Sequence, residues 1–136
     1  MADTFHLKIT SPDRIFFEGE VKMVEINTTE GQIGVPPNHI PLTSVLAPGV
    51  CYLHVPDQDP KVCAIHGGFF EILQDSMTIL AEVCEWPDEI DVGRAEDAKV
   101  RAERRLSEKD SGTDIARAIL ALKRSAARIE AAGKLS

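Results

Sequence analysis

The residues best suited to chemistry in this 136-residue chain are four arginines toward its C-terminal end: Arg94, Arg101, Arg124 and Arg128. Arg94 and Arg101 are seven apart and Arg124 and Arg128 four apart, so on helices each pair shares a face. If two helices fold back on each other with the reversal near residues 111 and 112, residues whose numbers total about 223 stand at one height. Arg94 then lies level with Arg128 or a neighbour, and Arg101 with Leu122, a turn or less from Arg124. Four guanidiniums would meet at the open end of the hairpin, beside Asp91 and the acidic stretch from Glu85 to Glu89. Clustered like charges destabilise an empty site, and a polyphosphate gripped by guanidinium forks relieves them. The same arginines also read as a solvated basic face with scattered ion pairs to Glu96, Asp97 and Glu103, the common fate of surface charge.

Elsewhere the chemistry is thin. There is no G-x-x-x-x-G-K-[ST] phosphate loop. His66-Gly67-Gly68 has the look of an esterase oxyanion loop but lacks a G-x-S-x-G partner, so the glycine pair reads as a turn. His6, His39, His54 and His66 form no helical two-histidine metal pair. Cys51, Cys63 and Cys84 are odd in number, without C-x-x-C spacing, and read as reduced, buried thiols. Catalysis by this chain alone is not expected.

Two kinds of text position these residues. All eight prolines precede Asp91, whereas the 46 residues from Asp91 onward are rich in Ala, Arg, Lys and Glu. Charge divides at the same place: residues 1–90 hold 4 Lys+Arg against 14 Asp+Glu, and residues 91–136 hold 11 against 8. The stretch Glu85-Trp86-Pro87-Asp88-Glu89-Ile90-Asp91 therefore reads as a hinge between a β domain, residues 1–86, and a linker with helices, residues 87–136. No apolar run reaches the ~18 residues that span a bilayer, and the start lacks a secretion signal, so a cytoplasmic location is expected.

Phe5, Leu7 and Ile9 alternate with polar residues, and Ser11-Pro12-Asp13 ends that strand. Ile15 to Asn27 is apolar in both registers, which a bend or bulge near Gly19 would reconcile. Thr29-Glu30-Gly31 reads as a hairpin turn, followed by Ile33 and Val35 and then the extended Ile40-Pro41-Leu42. Further strands run from Gly49 to Val55, Lys61 to His66, Phe69 to Leu73 and Met77 to Cys84, the last with Met77, Ile79, Ala81 and Val83 on one face. About eight to ten short strands without intervening helix predict an all-β antiparallel sandwich.

Beyond Asp91, a plausible N-cap, the positions Val92, Ala95, Ala98, Ala102 and Leu106 repeat at helical spacing until Asp110-Ser111-Gly112-Thr113. A second helix capped by Thr113 or Asp114 places Ile115, Ala118, Ile119, Leu122, Ala126 and Ile129 together, which predicts a C-terminal antiparallel two-helix hairpin. Its seam is mostly alanine, so the pair should depend on a surface to lie against and be able to leave it. A free-standing anion or nucleic-acid binding module is the alternative reading. Against nucleic acid stand the acidic front half and the lack of aromatic side chains after Trp86.

From end to end the chain resembles the epsilon subunit of bacterial F-type ATP synthases. Phe5-His6-Leu7-Lys8-Ile9-Thr10-Ser11-Pro12 is similar to that family's opening strand and turn. Glu30-Gly31-Gln32-Ile33-Gly34-Val35-Pro36-Pro37-Asn38-His39-Ile40-Pro41-Leu42 is similar to its E-G-E-x-G-I-x-P-G-H-x-P-L signature. Ile90-Asp91-Val92-Gly93-Arg94-Ala95, with Arg101 to Leu106 and Ala121 to Arg124, resembles the I/L-D-x-x-R-A hairpin of its nucleotide-binding members.

The resemblance implies a non-catalytic rotor subunit of a proton- or sodium-translocating ATP synthase. It implies contacts with the gamma subunit, with c-ring loops through Gln32 and His39, and with the catalytic head's alpha and beta subunits through the helices. It implies inhibition of ATP hydrolysis by the extended helices, and peripheral location on the cytoplasmic face of the bacterial plasma membrane through the complex alone. ATP would be a regulatory ligand rather than a required cofactor, at Glu85, Asp91, Arg94, Arg101, Arg124 and Arg128. Two positions depart from the pattern. Gln32 stands where many relatives carry Glu, and Asn38 where they carry Gly, at a turn whose left-handed backbone Asn accepts better than most side chains.

Overall fold

A computed structural model describes residues 3–108, 112 and 114–134. The front half forms eight strands: β1 (Phe5–Ser11), β2 (Arg14–Val21), β3 (Met23–Thr28), β4 (Gly31–Val35), β5 (Leu42–Val45), β6 (Gly49–His54), β7 (Lys61–Ile72) and β8 (Ser76–Glu85). A 3₁₀ turn, Pro87–Glu89, leads into α1 (Val92–Glu108) and α2 (Ile115–Gly133). The expected sandwich followed by a helical hairpin is the observed architecture. Neighbouring strands run β2-β1-β8-β7-β6-β3-β4, with β5 also on β7. All pairs are antiparallel except β1 with β8, the first and last strands of the sandwich, which lie side by side and parallel.

Gly67-Gly68 is not a turn. β7 passes straight through both glycines as one strand of 12 residues, with φ of +78° at Gly67 and +106° at Gly68. Before this kink Cys63 and Ile65 point into the core, and after it Phe70 and Ile72 do, so the strand turns its other side inward. β8 changes sides with it: Met77, Ile79 and Ala81 are core, then Cys84, while Val83 is 37% exposed rather than sharing their face. The first part of β7 pairs with β6 and the last part with β5, so the β7–β8 pair rounds the corner between the two layers. A Cβ at Gly68 would run into the carbonyl oxygen of Leu80, so both backbone angle and space require glycine there.

Nor does the chain bend at Gly19. β2 continues through it to Val21, and the break falls at Lys22. The irregularity lies earlier, where Ile9 pairs with Phe17 and Thr10 with Ile15, leaving Phe16 as the extra residue of a bulge. That bulge turns Phe16 to stack on Trp86, with ring centroids 4.1 Å apart. Asn38 adopts φ +62°, the left-handed conformation its side chain tolerates.

Asp91 caps α1 by accepting from the Arg94 backbone N–H at 3.1 Å, and Asp114 caps α2 by accepting from that of Arg117 at 3.0 Å. Asp110, Ser111 and Thr113, the other residues expected at the reversal, lie outside the described set. α1 buries only Ala95 and Ala102. The face of α2 differs from the expected one. Ile115, Ile119 and Ala126 are exposed, and the buried positions are Ala118, Ser125, Ala127 and Ala131, because this helix must meet both α1 and the sandwich. Ala131 rests with Ile90 on Val50 and Ala64, flanked by Tyr52 and Val62 of the outer β6–β7 face. Such small side chains remove little apolar area from water, so the seat is weak. On the other layer Val45, Phe69 and Leu80 stand in register across β5, β7 and β8, 55%, 47% and 42% exposed.

Candidate functional site

The site begins where β8 ends. Glu85, the last residue of that strand, is followed by Trp86 stacked on Phe16, then by the 3₁₀ turn. Arg14 at the start of β2 grips Glu89 in a two-pronged pair, both bonds 2.8 Å, and its Nη2 also donates to the Cys84 carbonyl. Glu89 Oε1 accepts from the Trp86 backbone N–H as well, at 2.9 Å. The Arg14 guanidinium, seconded by that N–H, holds the Glu89 carboxyl down at about 2. The stretch expected to hinge is therefore fastened to the sandwich through Glu89, and only Ile90 and Asp91 lie between this clamp and α1.

Glu85 ties the second helix down. Its Oε1 accepts from Arg128 Nε at 2.7 Å and from His66 Nε2 at 3.1 Å. Burial by itself would push the Glu85 carboxyl up; the bonds from His66 and Arg128, with the Arg128 charge, outweigh it and hold the group below its ordinary range. His66 is 0% exposed, under α2 on the outer side of β7.

Between these fastenings lies a cavity of about 430 Å³ lined by Glu85, Glu89, Asp91, Arg94, Arg101 and Arg128, with Ala95 and Ala98. This is within the usual range for small-molecule sites. Five of the six residues singled out in the sequence share it. Arg124 does not. It lies on the sandwich side of α2, with Nη2 3.4 Å from Glu82 Oε2 near the β7 corner, and its buried Nε has no partner among the described residues. The height argument brought it level with Arg101 but could not say which way the helix would turn it.

The lining is charged but not evenly satisfied. Glu85, Glu89 and Asp91 each hold a partner: Arg128 and His66, Arg14, and the α1 backbone. Arg94 and Arg101 have no carboxylate partner among the described residues. Two exposed guanidiniums on one face of α1 thus line a half-open cleft with no carboxylate paired to either among the described residues, an arrangement suited to phosphate oxygens. Gln32 and His39 lie apart from this cavity. Gln32 is exposed on β4 at the mouth of a 770 Å³ groove beside α2, and the half-buried His39 donates from Nδ1 to the Ile40 carbonyl at 2.7 Å.

His66, Arg14 and Glu89 were missed as site residues. Val62, Ala64 and His66 alternate along one side of β7, which is the signal, but the glycine pair read as a turn hides that this side continues under the arm.

Residues 4–87 match the family model for the ATP synthase delta/epsilon chain beta-sandwich domain, and residues 88–133 that for the delta/epsilon long alpha-helix domain. The chain is 43% identical over 134 residues to the ATP synthase epsilon chain of Caldanaerobacter subterraneus subsp. tengcongensis, covering 98% of this chain and 97% of that one. It is 44% identical over 130 residues to that of Clostridium novyi, covering 96% and 98%. In fold it is similar to a chain of the Euglena gracilis mitochondrial ATP synthase solved by cryo-EM, with TM-score 0.84, 24% identity, and coverage of 97% of this chain and 82% of that chain.

Proposed function

This chain belongs to the ATP synthase epsilon-chain family, a non-catalytic subunit of the F-type enzyme, and on that premise we propose that its helical pair is a regulatory arm whose seated position is favoured by ATP. The observation that carries this reading is the pair of unpaired guanidiniums, Arg94 and Arg101, in the cavity that Arg128 and Glu85 close only while α2 lies on the sandwich. ATP phosphates would bridge the arginines of α1 to Arg128 of α2 and add binding free energy to a seat to which α2 contributes mostly alanine. Without nucleotide the arm leaves more readily and restrains hydrolysis by engaging the alpha and beta subunits of the head.

The sandwich serves as the fixed coupling part, between gamma and the c-ring loops on the cytoplasmic face of the bacterial plasma membrane. Gamma is assigned to the row Val45, Phe69 and Leu80, since large apolar side chains aligned across three strands favour a protein partner. The c-ring loops are assigned to Gln32 and His39, and Gln32 lends that contact no charge.

Calorimetry with ATP tests the cavity: Arg94→Ala and Arg101→Ala should each weaken binding by about tenfold or more. Affinity equal to that of the native chain in both variants would refute it. Removing residues 88–136 should raise ATP hydrolysis by the assembled enzyme, and an unchanged rate would remove the inhibitory role.

A further inference from the structure

His66 lies two residues from Ala64 of the arm's seat and directly before the glycine corner. Apart from Ser125 it is the only fully buried polar side chain among the described residues. Its ring has one polar engagement, Nε2–H to Glu85 Oε1 at 3.1 Å, while Nδ1 has no partner among the described residues. An apolar side chain of similar bulk would suit such surroundings better, because a buried polar atom without a partner destabilises the fold. The imidazole is therefore poorly explained as packing, and what it supplies is a rigid donor from the sheet to one carboxylate oxygen.

That oxygen is the one Arg128 grips at 2.7 Å from the other side. A Glu85 carboxylate already held on Oε1 by His66 would keep its rotamer with the arm away, and Arg128 would return to a prepared acceptor. We propose that His66 is a positioning residue for the nucleotide cavity: acting through Glu85, it fixes where Arg128 lands, so that seating the arm and completing the cavity are one event. The nucleotide half of this inference rests on the ATP reading above; the seating half does not.

The test uses the full chain and three readouts: ATP affinity by calorimetry, amide exchange of α2 without nucleotide, and the thermal midpoint. His66→Leu should weaken ATP binding and speed α2 exchange, each by about tenfold, without lowering the midpoint. His66→Gln, which keeps an N–H donor, should stay within about threefold of the native chain in both. In a Glu85→Ala background, where the shared acceptor is gone, His66→Leu should add less than about twofold, since the two residues act in series.

Native affinity and native α2 exchange in His66→Leu would overturn the proposal. So would an undiminished loss in the Glu85→Ala background, or a loss with a lowered midpoint that His66→Gln fails to repair. If the native chain binds no ATP, the proposed function falls, and α2 exchange alone decides the role of His66: no acceleration in His66→Leu overturns that as well.

Discussion

Replacing Glu85 with alanine removes the oxygen that accepts both from His66 of the sheet and from Arg128 of the arm. Hydrogen bonds with a charged partner contribute about 1.5–3 kcal/mol each, and Glu85 Oε1 makes two. The side chains of Arg128 and Glu85 are 30% and 23% exposed, so water replaces part of the Arg128 bond and that share must be discounted. The His66 bond has no such replacement while α2 covers it, and with Glu85 gone the ring would have no partner on either nitrogen. The seated arm should lose about 2–3 kcal/mol relative to the released one, a shift of roughly 30- to 150-fold in their ratio. Native-state hydrogen exchange measures this directly. Amides of α2 should exchange faster by that factor in Glu85→Ala, while those of Met77 and Ile79, in the core of β8, should not change. Unchanged α2 protection would refute the strap. Equal acceleration in helix and core would show that Glu85 supports the sandwich as a whole rather than the seating of the arm.

Gly68→Ala should destabilise the sandwich by about 3 kcal/mol or more, because the methyl meets a backbone carbonyl at a left-handed φ, and chemical denaturation should show it. Gly67→Ala should be milder, since its methyl would stand 2.8 Å from a Glu82 carboxylate oxygen, which is free to move. Asn38→Val, a branched side chain forced to φ +62°, should cost about 1–2 kcal/mol in the same assay, and an unaffected midpoint would argue against that backbone angle. Acid should undo both fastenings. Both carboxyls are depressed in the folded chain, so each contributes fully above its unfolded value, near 4.5, and is lost as pH falls through its folded value. Glu89 is held at about 2 and Glu85 below its ordinary range, so as pH falls from 5 toward 2 the α2 amides should lose protection and the fluorescence of the single Trp86 should report loss of its stack on Phe16.

Much of this molecule was legible in the sequence because local rules and tertiary structure agree over most of it. Alternation in β1, the alanine spacing of α1 and the caps at Asp91 and Asp114 each follow from contacts within a few residues. What escaped depends on partners distant in the chain. A double glycine reads as punctuation, and only the pairing of β7 with both β6 and β5 makes it a corner. The parallel β1–β8 pair joins residues about 70 positions apart, for which alternation carries no signal. In the site, periodicity could group Arg94 with Arg101. It could not decide that Arg124 turns to Glu82, since that depends on where the sandwich lies against α2. His66 was hidden for the same reason: its partner is 19 residues away on the next strand.

The Arg14–Glu89 clamp limits how far a detached arm can wander. From Glu89 to Val92 is three residue steps, at most about 11 Å, with only Ile90 and Asp91 between the pinned turn and the first residue of α1. The root of the arm therefore stays leashed beside its berth even when its tip is elsewhere. Re-docking is an intramolecular event at an effective concentration in the millimolar range. Were the arm to leave as proposed, how often it is found at home would thus be independent of how many copies of the subunit a cell makes, and any competitor for it would have to outbid a neighbour that never diffuses away.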